Sequence, residues 1–176
     1  MIYTKKWGDN VKQYLYKLGN EYESISGGWI GSTGILSTQV GNNAVMPTIT
    51  KSIDRIKIYE RTGGSANHGS LIMKNSIDLT NYKKICVETI GYDRTSTRIS
   101  AALNFVITAS NPYNANYTAF KSATTYFKTN SDDDRIILTI DISTVTGLFY
   151  LAFAVTAYHA GDYREADTTV FKVWLE

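Results

Sequence analysis

From Ile25 onward, apolar and polar positions alternate with a period of two. Ile56 and Ile58 alternate with Arg55, Lys57 and Tyr59. Ile99, Ala101, Leu103, Phe105 and Ile107 share one face of a predicted strand, and Ala102, Asn104 and Val106 the other. Ile136, Leu138, Ile140 and Ile142 alternate with Ile137, Thr139 and Asp141, as Phe149, Leu151, Phe153 and Val155 do with Tyr150, Ala152 and Ala154. The chain closes with Thr169, Phe171, Val173 and Leu175 opposite Val170, Lys172 and Trp174. Successive side chains of an extended chain point to opposite faces, so this pattern is strand. Further strands are expected at 71–77, 83–90 and 117–127, with polar turns between them at 62–67, 91–97, 110–114 and 130–134. Helical spacing occurs at 10–18, where Val11, Tyr14, Leu15 and Leu18 would share a face before Gly19-Asn20 stops the helix.

Roughly eight to ten short strands predict an all-β, antiparallel β-sandwich. No strand–helix–strand spacing appears, which argues against a parallel sheet. Two sheets face to face, with crossing connections, suggest a jelly roll. The expected organisation is a leader or short helix at 1–18, with a possible oligomer contact, followed by the sandwich at 19–176. Tyr3, Trp7, Tyr14 and Tyr16 are more aromatic surface than a free tail exposes, so the leader is expected to pack on the module or on a neighbour. Ala102, Val106, Ala152 and Ala154 predict that the second face of the late strands is partly covered or forms a shallow groove. Trp29 reads as a plug at one end of the sandwich, and Trp174 as a packed strand residue.

Composition narrows the function classes. Hydrophobic residues make up 43% and charged residues 19%, enough for a core and too little charge for a disordered chain. The 18 basic and 16 acidic residues leave a net charge of +2, which provides no basic field for nucleic acid. The most apolar stretch, 148–158, is far shorter than the ~20 residues of a spanning helix, and no secretory signal is visible. Synthesis in the cytosol is expected. Cys86 is the single cysteine and reads as a small strand residue. No nucleophile elbow, phosphate loop, His-Glu-x-x-His or Cys-x-x-Cys occurs, so neither a catalytic residue, a metal nor a cofactor is assigned. His68 and His159 read as surface or loop residues. Asp132-Asp133-Asp134 supplies hard oxygens that could hold calcium, but lacks the alternating donors of a calcium loop and reads as a solvated turn.

Three segments carry a family resemblance: Tyr14-Leu15-Tyr16-Lys17-Leu18-Gly19-Asn20-Glu21 running into Ser26-Gly27-Gly28-Trp29, then Ile77-Asp78-Leu79-Thr80-Asn81-Tyr82-Lys83-Lys84-Ile85, then Phe171-Lys172-Val173-Trp174-Leu175-Glu176. Together they resemble a C-terminal module of tail-fibre and minor structural proteins of phages and prophages of Firmicutes. The chain departs from that pattern in lacking a cysteine near Tyr22. The resemblance implies a tail-associated module in a virion, and the missing catalytic motifs make it a non-catalytic one. Its partners would be other tail subunits, a trimeric assembly and a cell-surface glycan of a bacterial host, with no nucleic acid or membrane. Alternatives are a small glycan-degrading enzyme on a jelly roll and a free-standing carbohydrate-binding module.

A sugar site needs an aromatic platform beside planar hydrogen-bonding groups. Three loops have that mixture, and their candidate residues are Tyr113 and Asn114, then Tyr158, Asp162, Tyr163 and Arg164, then Tyr92. Tyr163 and Tyr113 would stack on the sugar, while Asp162, Arg164 and Asn114 bond its hydroxyls. The same tyrosines could instead cap the sandwich ends. The sheet face bearing Asn104 and Tyr150 is the other place for a site.

Overall fold

The computed structural model describes residues 12–34, 36–37, 46–62, 68–90, 101–113, 116–126, 135–157 and 164–176. Among these, one helical turn, α1 (Glu23–Ser26), accompanies twelve strands. They are β1 (Gln13–Lys17), β2 (Trp29–Ser32), β3 (Thr48–Lys51), β4 (Ile56–Thr62), β5 (His68–Met73), β6 (Ile77–Asp78), β7 (Lys84–Ile90), β8 (Ala101–Thr108), β9 (Lys121–Tyr126), β10 (Arg135–Asp141), β11 (Leu148–Ala157) and β12 (Arg164–Leu175). The front sheet has the order β10-β7-β12-β4-β3, with β1 also paired to β12. The back sheet has the order β2-β5-β11-β8-β9, with β6 also paired to β11. Every pairing between strands is antiparallel, so the fold is the expected β-sandwich of jelly-roll type.

The core forms where the inward positions of both sheets meet. Leu71, Leu103, Phe105, Leu151, Phe153 and Val155 come from the back sheet, and Ile56, Ile58, Ile85, Val87, Val173 and Leu175 from the front. Phe153 stacks on Phe105 at 5.0 Å and meets Trp29 at 5.3 Å, so Trp29 belongs to the core, as its sequence context suggested. The alternation read from β8, β10 and β11 is the alternation observed. On the outward side of the back sheet, Ile72, Val106, Ala152 and Ala154 are buried beneath Leu36 and Tyr117. The expected cover is therefore real. Two chain segments cross this face, held by Tyr117 and Ser70 hydroxyls 2.7 Å apart and by Ser32 Oγ donating to the Pro112 carbonyl at 3.1 Å.

Two local expectations are corrected. The helix expected at 10–18 is not formed, because Gln13–Lys17 is strand β1, paired to the end of β12. A nine-residue helix is marginal in isolation, whereas this strand completes a ladder and buries Leu15 and Tyr16. The faces of β12 also differ from the simple alternation. A register shift between Val170 and Lys172 leaves Phe171 unpaired with β7, so Val170 joins Val173 and Leu175 in the core. Phe171 is fully buried but lies outside that core, against the guanidinium groups of Arg55 and Arg135.

The segments that carry the family resemblance act as fasteners. Gly27 and Gly28 adopt left-handed φ of 67° and 85°, and a Cβ on Gly28 would stand 2.9 Å from Glu21 Oε2. That carboxylate accepts the Trp29 N–H at 3.1 Å and pairs with Lys51. Asp78 accepts the Thr80 N–H at 2.9 Å, and Thr80 Oγ1 accepts the Gly147 N–H at 3.0 Å, so the turn read from Asp78 and Thr80 ties two loops together. Leu79 is fully buried beneath it. At the end of the chain, Glu176 exchanges backbone hydrogen bonds with Lys84.

Candidate functional site

The outward side of the front sheet carries the richest chemistry among the described residues. Because Val173 and Leu175 point into the core, Trp174 and Lys172 point away from it. Register then sets Tyr14 of β1 opposite Trp174 and Cys86 of β7 on its other side. Tyr14 lies 6.4 Å from Trp174 and stacks on Tyr22 at 6.1 Å with 25° between the rings. Tyr14 and Tyr22 are half-buried, so their rings offer part of their surface to solvent. Trp174 Nε1 donates to Glu176 Oε1 at 2.7 Å, which fixes the indole.

Cations lie across these rings. Lys12 Nζ is 4.5 Å from the Trp174 ring centre and Lys17 Nζ 4.6 Å from that of Tyr14. Arg135 and Arg55 place guanidinium carbons 3.7 Å and 5.1 Å from the Phe171 ring centre. Glu88 pairs with Lys172 and accepts from Arg135 Nη1 at 3.2 Å. Burial alone would raise the Glu88 carboxyl, but the bonds from Lys172 and Arg135 outweigh it and hold the pKa below its usual value. Hydrogen bonding from Arg55 likewise lowers Asp54. The face thus joins two buried rings, Trp174 and Phe171, and two partly exposed ones, Tyr14 and Tyr22, to fixed charges that can bond the polar substituents of a ligand.

Of the loop candidates, Tyr113 and Arg164 are among the described residues. Asn114, Tyr158, Asp162, Tyr163 and Tyr92 lie outside the described residues. Arg164 opens β12 opposite Thr62. Tyr113 is exposed, and its N–H is held by Asn111 Oδ1 at 2.9 Å. It follows Pro112 on a segment that crosses the outward side of the back sheet. Ala157 and Ala101, where the 158–163 and 91–100 segments join the sheet, are register partners. Asn104 and Tyr150 do share the outward side of the back sheet. There Thr124 Oγ1 donates to Asn104 Oδ1 at 2.8 Å, beside the buried Ala154.

Tyr14, Tyr22, Arg55 and Arg135 were not among the binding candidates read from the sequence, where Tyr14 stood as a leader aromatic. A signal existed for Tyr14. Read as strand, Tyr14 to Lys17 matches the aromatic and basic order of the chain end, Lys172 to Trp174, in antiparallel sense. No signal in the sequence brings Arg55 and Arg135 to Phe171.

No protein-family model and no curated protein matches the chain. Solved structures that it resembles include a carbohydrate-binding module in complex with β-1,4-galactotriose, 10% identical, covering 93% of this chain and 98% of that one with a TM-score of 0.47. A low-affinity xylan-binding module from Roseburia intestinalis is 7% identical over 84% of this chain and 92% of that one, with a TM-score of 0.43. The glycoside hydrolase domain structure of Endo-D from Streptococcus pneumoniae R6 is 10% identical over 84% of this chain, with a TM-score of 0.47, and this chain spans 21% of it. At these identities the likeness is one of fold alone.

Proposed function

We propose that this chain is a non-catalytic module that binds carbohydrate on a bacterial cell surface. The observation that carries the reading is the outward face of the front sheet, where the partly exposed side chains of Tyr14 and Tyr22, stacked on each other, adjoin fixed charged groups. A sugar presents a flat CH-rich face with hydroxyls at its rim, and this surface complements both. The non-catalytic part rests on the sequence, which carries no catalytic motif, and the four described carboxylates with shifted pKa values agree with it. A glycosidase needs an acid whose pKa is raised. Asp54, Asp78, Glu88 and Asp141 are instead all lowered, by hydrogen bonds from Arg55, from Thr80, from Lys172 and Arg135 against burial, and from Ser143 respectively. Glu21 is occupied by Trp29 and Lys51.

The finer setting, a phage or prophage tail whose subunits are made in the bacterial cytoplasm and carried in the virion, rests on the resemblance of the three fastening segments. In that setting the module assembles as a homotrimer. Light scattering of the full chain is expected to give three times the protomer mass, and a monomer at high concentration overturns the trimer. Binding is tested on a glycan array with Tyr14→Ala and Tyr113→Ala, each checked by thermal melting. Loss of roughly 1–3 kcal/mol of binding is expected for a truncated anchoring aromatic. Loss with Tyr14→Ala alone places the site on the front sheet, and loss with Tyr113→Ala alone places it at the crossing segment. An array on which the parent chain binds no glycan overturns the function.

A further inference from the structure

The front sheet sets two lysines directly opposite each other. Lys17 of β1 and Lys172 of β12 are register partners, and both lie on the outward face. Like charges facing one another across a ladder destabilise it. Arg135 adds a third cation, bound to the same carboxylate as Lys172, that of Glu88. Arg55 shares the Phe171 ring with Arg135 and pairs with Asp54. Among the described residues, three cations in one row, Lys17, Lys172 and Arg135, thus face one carboxylate, Glu88, which leaves a surplus of two positive charges along that row. The cations are reachable, with the Arg135 side chain 39% exposed and that of Lys172 27%. The one carboxylate does not balance the row, and an anion laid across it would.

Resting on the carbohydrate-binding reading above, we propose that this face binds an acidic polysaccharide whose sugar rings themselves carry carboxylates, the hexuronic-acid class. Spacing selects that chemistry. The Lys17 ammonium stands 4.6 Å from the centre of the Tyr14 ring, so the aromatic surface and the nearest cation fall within the span of one sugar residue. With Tyr22 stacked against Tyr14 and Lys17 over its ring, a sugar residue reaches this group from its exposed side and sets a carboxylate of its own ring against Lys17 and Lys172. Arg135, at the far side of Lys172, is placed for the acid of a neighbouring residue, in the planar geometry that guanidinium and carboxylate share.

The test is calorimetric titration of the full chain with polygalacturonate and with hyaluronate, each against its methyl ester, and with inorganic polyphosphate. The ester keeps the sugar ring and removes the charge. The acid forms are expected to bind at least about tenfold more tightly than their esters, and to weaken steeply as salt screens the contact. Replacing both lysines (Lys17→Gln with Lys172→Gln) is expected to bring the acid forms down to the level of the esters. Lys74→Gln, which makes the same charge change on an exposed turn after β5, is expected to bind as the parent does. Thermal melts confirm that each variant folds. Equal binding of acid and ester overturns the proposal while leaving carbohydrate binding intact. Binding of polyphosphate without either acid polysaccharide overturns it in favour of a phosphate polymer, and binding of none of these probes overturns it outright. Loss of binding with Lys74→Gln as large as with the double variant reduces the effect to net charge and overturns the site.

Discussion

Truncation after Val173 is expected to abolish the cooperative thermal transition. Trp174 and Leu175 are 3% and 1% exposed, and they sit where three strands meet. Tyr14 and Gln13 of β1 pair with them on one side, and Cys86 and Ile85 of β7 on the other. Removing a buried Trp or Leu side chain typically costs about 3–5 and 2–5 kcal/mol. Their sum is of the order of the whole stability of a domain, about 5–15 kcal/mol. The truncation also removes the Glu176 backbone bonds to Lys84, so the start of β7 frays with the end of β12. Glu176→Ala is the matched control. It keeps the backbone and loses only the 2.7 Å bond from Trp174 Nε1 and a long pairing with Lys12, so a cost near 1 kcal/mol is expected. Circular dichroism melts of the two variants make the comparison. A truncated chain that melts cooperatively within a few degrees of the parent overturns the claim.

The strands that could be read from sequence are those whose apolar positions repeat over six or more residues, as in β8, β10 and β11. There one face is wholly buried, so the pattern has only one solution. Strand β1 was misread because the spacing of Val11, Leu15 and Leu18 fits a helix, while its strand character comes from β12, more than 150 residues away. Strands β2 and β3, four residues each, are too short to show a period. The bulge at Phe171 is also silent in the sequence. Alternation runs unbroken through Thr169, Phe171 and Val173, and only the pairing with β7 shows that one residue is skipped. That skipped residue is what gives Arg55 and Arg135 a ring to lie on, so the part of the candidate face around Phe171 could not be read in advance. The cover over Ala152 and Ala154 could, because small residues on an outward face call for something lying close above them.

Gly19→Ala is expected to cost about 4 kcal/mol or more in urea unfolding, against about 1–3 kcal/mol for Gly147→Ala. Both glycines adopt positive φ, 88° and 100°, so each substitution forces a side chain into a conformation that L-residues rarely adopt. They differ in what surrounds them. A Cβ on Gly147 meets nothing within 4 Å, whereas one on Gly19 would stand 2.3 Å from the Ile53 carbonyl oxygen and 2.7 Å from its carbon. Those are backbone atoms of the turn between β3 and β4, closed by the Ser52 N–H donating to the Arg55 carbonyl at 2.8 Å. The turn cannot retreat alone, because Arg55 is paired with Asp54 and laid over Phe171. On the other side, the Gly19 N–H donates to the buried Tyr16 hydroxyl at 3.0 Å, which anchors the end of β1. A larger residue at Gly19 therefore pushes Arg55 off its ring and β1 off its register together, and the carbohydrate binding proposed for the front sheet is expected to fall along with stability. Gly147, in the loop leading into β11, is expected to lose stability alone. Equal losses of stability in the two variants would show that backbone conformation, and not the approach of Ile53, makes glycine necessary at position 19.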